Sequence, residues 1–169
     1  MRKGARAKDF ELAIEWLVNS GLVYKVARCN KLSLPLAIYE DLSAFKLYFL
    51  DLGLLGAMVD SEASQILVSN NAFTEYKGGM TEQYVLQQYM SHGVSSVYYH
   101  KTDDSRLEID FVVQRSSHIL PVEVKAEANV RANSLTMLLA NNHDMQAIRY
   151  SMLPYKEQGQ LTCIPLYMV

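Results

Sequence analysis

Three charged side chains, Asp110, Glu123 and Lys125, are set into apolar runs where charge is expensive. They fall in LEIDFVVQRSSHILPVEVK, residues 107–125, in which IDFVV and ILPVEV read as strands from the middle of a sheet. A carboxylate in a core strand loses its hydration at several kcal/mol unless it is paired, hydrogen-bonded or bound to metal. Glu123 and Lys125 are two residues apart, so a strand projects them from one face and Val122 and Val124 from the other. Two carboxylates and an amine on one surface suit metal-assisted phosphodiester hydrolysis. The cation neutralises developing charge and generates hydroxide, while the amine holds the attacking water or the oxyanion.

Each residue also has a simpler account. Backbone amides or Arg106 would satisfy Asp110, and Glu108, on the same strand face, is an auxiliary or rival ligand. Glu123 and Lys125 could be an exposed ion pair contributing only about 0–1 kcal/mol. Glu82, in TEQYVLQQYMSHG, reads either as a fourth member of the site or as a first-turn acid favoured by the helix dipole. His92, His100, His118 and His143 have no metal-ligand spacing and read as surface or cap residues. Tyr98-Tyr99-His100-Lys101 mixes aromatics with a base, which suits stacking on nucleic acid, but tyrosines in a strand more often build the core. No GxSxG elbow is present.

The elements that must position these groups change character along the chain. Residues 8–20 place Phe10, Ile14, Leu17 and Val18 at helical spacing before Gly21. LVYKVA, an edge-like KLSLPLAIYE containing Pro35, and KLYFLD follow as strands, and LGLLGAMV as a short helix. This suggests a small winged-helix-like or helix–hairpin unit that, with a connector containing one short helix, fills residues 1–79. The second unit, residues 80–169, opens with a helix N-capped by Thr81 and stopped by Gly93. Strands VSSVYYH, LEIDFVV and HILPVEVKA come next, then a helix from about Ala132 to Ala140 and strands MQAIRYS and LTCIPLYMV. That order predicts an α/β layer, a mixed sheet flanked by helices.

Composition narrows the classes. With 169 residues, 50% hydrophobic and 20% charged, the chain is an ordinary globular protein able to bury about 70% of its unfolded surface. Cys29 and Cys163 form no CxxC or CxH pair, which argues against structural zinc or a disulfide framework. Asp51 interrupts the apolar stretch from Leu47 to Val59, which is too short to span a bilayer. Asp9, Glu11 and Glu15 stand where a signal peptide needs an apolar core, so a soluble, cytoplasmic protein is expected. Net charge is −2, with +4 over residues 1–31 and −6 over the rest. That balance does not suggest indiscriminate nucleic-acid binding, although the basic end could track phosphates.

The helix with Glu82, the strand with Asp110 and the strand with Glu123-Val124-Lys125 come in the order that resembles the PD-(D/E)XK nuclease superfamily. From about residue 9 onward, AIEWLVNSGLVYKV, LPLAIYEDLSAFKLYFLDLGLL, EYKGGMTEQYVLQQ, LEIDFVVQ, ILPVEVKAEANVRANSL and IPLYMV are similar to the uncharacterised, DUF4143-type C-terminal region of prokaryotic AAA+ ATPases. The resemblance implies a restriction-endonuclease-like fold. It also implies a magnesium (or manganese) site of Glu82, Asp110 and Glu123, with Lys125 as catalytic amine, acting on nucleic acid. No Pro precedes Asp110, and the chain has no GxxxxGK[ST], so any ATPase motor belongs to a longer product or a partner. Two other classes remain: a non-catalytic DNA- or partner-binding module serving such a motor, and a homo-oligomeric scaffold joined through Leu47–Val59.

Overall fold

The computed structural model describes residues 7–59, 74–126 and 133–169. The basic residues Arg2, Lys3 and Arg6, the short helix expected before residue 74, and Ala132 lie outside the described residues. A 3-10 turn, Ala7–Phe10, leads into α1 (Glu11–Asn19), followed by β1 (Val23–Cys29), a 3-10 turn over Leu36–Tyr39, β2 (Glu40–Phe49) and α2 (Leu52–Val59). Next come α3 (Thr74–Ser91), β3 (Val97–Lys101), β4 (Glu108–Arg115), β5 (His118–Val124) and α4 (Asn133–Ala140). The chain closes with β6 (Ala147–Ser151), β7 (Lys156–Gln158), β8 (Leu161–Pro165) and a last 3-10 turn.

The described strands form one eight-stranded mixed sheet in the order β2-β1-β3-β4-β5-β6-β8-β7. β1 pairs parallel with β3, so the strands of residues 23–49 extend the sheet of residues 97–165. β3–β4 and β4–β5 are antiparallel, whereas β5–β6 and β6–β8 are parallel. The carboxyl ends of β1, β3, β5, β6 and β8 therefore share one end of the sheet with the start of β4. Ligands of open α/β sheets bind at that end.

Both faces of the central strands are covered. On one, Val26, Tyr48, Tyr99, Phe111, Val113, Val122, Val124 and Tyr150 pack with Val85, Leu86 and Tyr89 of α3. On the other, Cys29, Ile109, Val112 and Ala147 pack with Leu36 and with Leu135, Leu138 and Leu139 of α4. Cys29 and Cys163 are buried thiols, not a disulfide. Among the described residues no helix is long and apolar enough to cross a membrane.

Several local expectations are corrected. Around Pro35 the chain makes a 3-10 turn instead of an edge strand, because it dives inward: Leu36 is fully buried and its N–H donates to Gln114 Oε1 at 2.9 Å. β2 then starts at Glu40, earlier than KLYFLD implied. α3 begins at Thr74 and runs through Gly78-Gly79, which weaken a helix by about 1 kcal/mol each and so look like a connector. Thr81 is consequently inside the helix, its hydroxyl donating to the Lys77 carbonyl at 2.7 Å, and is no N-cap. Gly93, at φ +74°, ends the segment as expected. α1 has its apolar residues at helical spacing yet buries none of them fully. His100 is not a surface residue: it is buried, with Nδ1 2.7 Å from the Cys29 carbonyl. Tyr99 is buried too, in line with the core reading of the tyrosine run. β7 was not foreseen; its three residues are all exposed.

Phe111 is fully buried and its ring meets those of Tyr48 and Tyr89. Replacing it with alanine is expected to lower unfolding free energy by about 3–5 kcal/mol, measured by urea denaturation.

Candidate active site

A β-bulge decides where Asp110 points. Tyr98 pairs with Val112 and His100 with Ile109, so Asp110 and Phe111 together oppose the single residue Tyr99. Ile109 packs on the α4 side and Phe111 on the α3 side. Asp110 is turned toward the gap that opens between β4 and β5 beyond the Phe111–Val122 pair. There Oδ2 accepts the Val124 N–H at 2.8 Å, so a strand amide satisfies the carboxylate. Arg106 is not its partner; it pairs with Asp104 at 3.2 Å.

Glu82, more than two turns into α3, is not a first-turn acid. Its Oε2 accepts the Tyr48 hydroxyl at 2.9 Å and lies 3.6 Å from Lys46 Nζ. Lys46 also reaches Glu108 Oε1 at 3.1 Å, and Lys101 holds Glu108 Oε2 at 2.8 Å. Burial alone would lower the Lys46 pKa, but Glu82, Glu108 and Asp110 outweigh it and raise it. Burial, then the neighbouring Glu82 charge, raises the Asp110 pKa to about 6, against the Val124 N–H, Lys125 and Lys46, which lower it. Burial and the same three acids also push the Tyr48 hydroxyl up, so it remains a donor.

Glu123 lies elsewhere. It sits between Val122 and Val124, which pack toward α3, so strand alternation aims it to the α4 side. It is buried at 5% exposure, which excludes the exposed ion-pair account. Its Oε2 accepts from Arg149 Nε at 3.0 Å, directly across on β6, and its Oε1 is 3.3 Å from Lys125 Nζ. Glu123 and Lys125 thus do share a face and touch, as their spacing implied.

The structure therefore brings Glu82, Glu108 and Asp110 into one electrostatic neighbourhood and links Lys125 to it through Asp110. It sets Glu123 across the sheet, beside Arg149. Among the described residues, no three His, Cys, Asp or Glu side chains stand close enough to hold one ion. In donor chemistry Asp110 and Glu82 fit a hard divalent cation, being two coupled carboxylates of which one is poorly solvated. Lys46, Tyr48 and Arg149 were missed from sequence. Arg149 carried a readable signal, a charge between Ile148 and Tyr150 of an apolar strand, but Lys46 and Tyr48 looked like an ordinary half-buried strand.

Because the folded pKa of Asp110 is raised above its unfolded value, its ionisation opposes folding. Stability is therefore expected to fall as pH rises from about 4 to about 6. Asp110→Asn retains an acceptor for Val124 and should remove that slope, gaining roughly 2–3 kcal/mol above pH 6 in metal-free buffer. Denaturant unfolding at a series of pH values reads both.

With this geometry in view, two families match the sequence. Residues 1–65 match a domain of unknown function, DUF8612, and residues 77–167 match the domain of unknown function DUF4143. No curated protein and no solved structure matches the chain. The DUF4143 match covers more than half of the chain and contains Glu82, Asp110, Glu123 and Lys125; the protein belongs to the DUF4143 family.

Proposed function

We propose that the chain is a nuclease-like module of PD-(D/E)XK type that uses a divalent cation, magnesium or manganese, to cleave nucleic-acid phosphodiesters. One observation carries this reading: a poorly solvated carboxylate, Asp110, under the opposing charges of Glu82 and Lys125, at the end of the sheet where open α/β folds commonly bind ligands. Asp110 and Glu82 would hold the cation, which when bound supplies charge neutralisation and an activated water. Val124 N–H fixes the Asp110 carboxylate in place. Glu123, itself held by Arg149, keeps the Lys125 ammonium at the strand end, where it can meet a phosphate or leaving oxygen. The likeness to C-terminal regions of AAA+ ATPases supports a motor as partner. We further propose a homo-oligomer through the Leu47–Val59 region, supported by the exposed side chains of Leu47, Leu50 and Met58.

A second reading is favoured by a different observation. Arg149 and Lys125 occupy both oxygens of Glu123, and Lys46 and Tyr48 share an oxygen of Glu82, so the acids already have internal partners. On this reading the chain is a non-catalytic DNA- or partner-binding module of an AAA+ ATPase. Manganese titration, with cleavage of a labelled single- and double-stranded DNA and RNA panel, separates the two. The hydrolase should bind Mn2+ and cut, with Asp110→Asn losing both and Lys125→Met losing only cleavage. Absence of specific Mn2+ binding in the native chain, or cleavage that survives Asp110→Asn, sinks the hydrolase.

A further inference from the structure

Resting on the cation-dependent reading, we infer that the Lys46 ammonium stands in the place of a cation among Glu82, Glu108 and Asp110, and that Lys46 and a divalent ion compete for that place. The carboxylates come from α3 and from two positions of β4, while Lys46 comes from β2, outside the segment matched by DUF4143. Nζ lies 3.6 Å from Glu82 and 3.1 Å from Glu108, and Asp110 is near enough to act on its charge. The Tyr99 ring lies 5.2 Å away and offers the ammonium its face. One cationic group thus bridges Glu82 and Glu108 beside Asp110.

This accounts for acids that are electrostatically coupled and yet too dispersed to share an ion. Glu82 takes its ammonium contact from Lys46, and the second oxygen of Glu108 is already held by Lys101. A lysine suits such a role because its ammonium is a point charge on a flexible stem. Lys46 keeps 26% of its side chain exposed to solvent. Release of Lys46 to solvent would leave the Glu82 and Glu108 oxygens it holds available to an ion. The apparent affinity for the ion is then the intrinsic affinity scaled by the fraction of molecules in which Lys46 is released.

The test is calorimetric Mn2+ titration of the full chain, with thermal unfolding alongside, for the native protein, Lys46→Met and Lys46→Gln. The glutamine variant retains a donor for the carboxylates and guards against loss of folding. Both variants should bind Mn2+ on the order of tenfold more tightly or better. Their melting temperatures should rise more on adding Mn2+ than that of the native chain. Adding Glu82→Gln to either should erase the gain. If both variants bind Mn2+ no more tightly than the native protein, or the gain survives Glu82→Gln, the inference is overturned. Native chain silent with variants binding supports the role of Lys46 and removes the hydrolase reading. Native chain binding with variants unchanged does the reverse.

Discussion

The centre of β4 is covered on both sides, and Asp110, set among its apolar residues, finds its partner inside the sheet. Ile109, Phe111, Val112 and Val113 have at most 1% of their surface exposed, packed alternately against α4 and α3. Asp110, between Ile109 and Phe111, is half-buried, and a carboxylate buried there without a partner would cost several kcal/mol. The bulge opposite Tyr99 turns Asp110 into the gap where β4 and β5 part, and the Val124 amide meets it there. The raised pKa of Asp110 goes with that half-buried position, and the Val124 amide opposes the shift.

The same sheet divides the charges into two groups. Toward α3, Lys46 and Lys101 neutralise Glu82 and Glu108 at partly exposed positions. Toward α4, Glu123 and Arg149 form a pair with side-chain exposures of only 6% and 11%. Two buried ions remain tolerable when each satisfies the other, and removing either partner leaves an uncompensated charge. The first group is open to exchange with solvent. The second is built to stay as it is, and this makes Glu123 a support for Lys125 more than a free donor.

Gln83 adds a mechanical link between the chain's two matched segments. It is buried in α3, and its side-chain amide binds both the N–H and the carbonyl of Phe49 at the end of β2. Gln87 accepts from Leu52 N–H one turn further along α3. The edge strand is thereby tied to the helix that carries Glu82, and Lys46 and Tyr48, also on β2, reach the same acid.

Much of the fold was legible because burial writes a period into sequence. The strands of β1, β3, β4, β5, β6 and β8 and the helices α3 and α4 each follow apolar runs of the right length. What failed was local: Gly78-Gly79 hid the first turns of α3, and Pro35 looked like an edge strand because the burial of Leu36 is a tertiary fact. Asp110, Glu123 and Lys125 declared themselves as charges in apolar strands, and the contact of Glu123 with Lys125 followed from the two-residue period. The sequence by itself thus determined which residues are costly to bury and which neighbours along a strand share a face. Tertiary structure alone decided which of them meet. A one-residue bulge reverses the face of a strand, and partners such as Lys46 and Arg149 arrive from strands far along the chain, where no local pattern encodes the encounter.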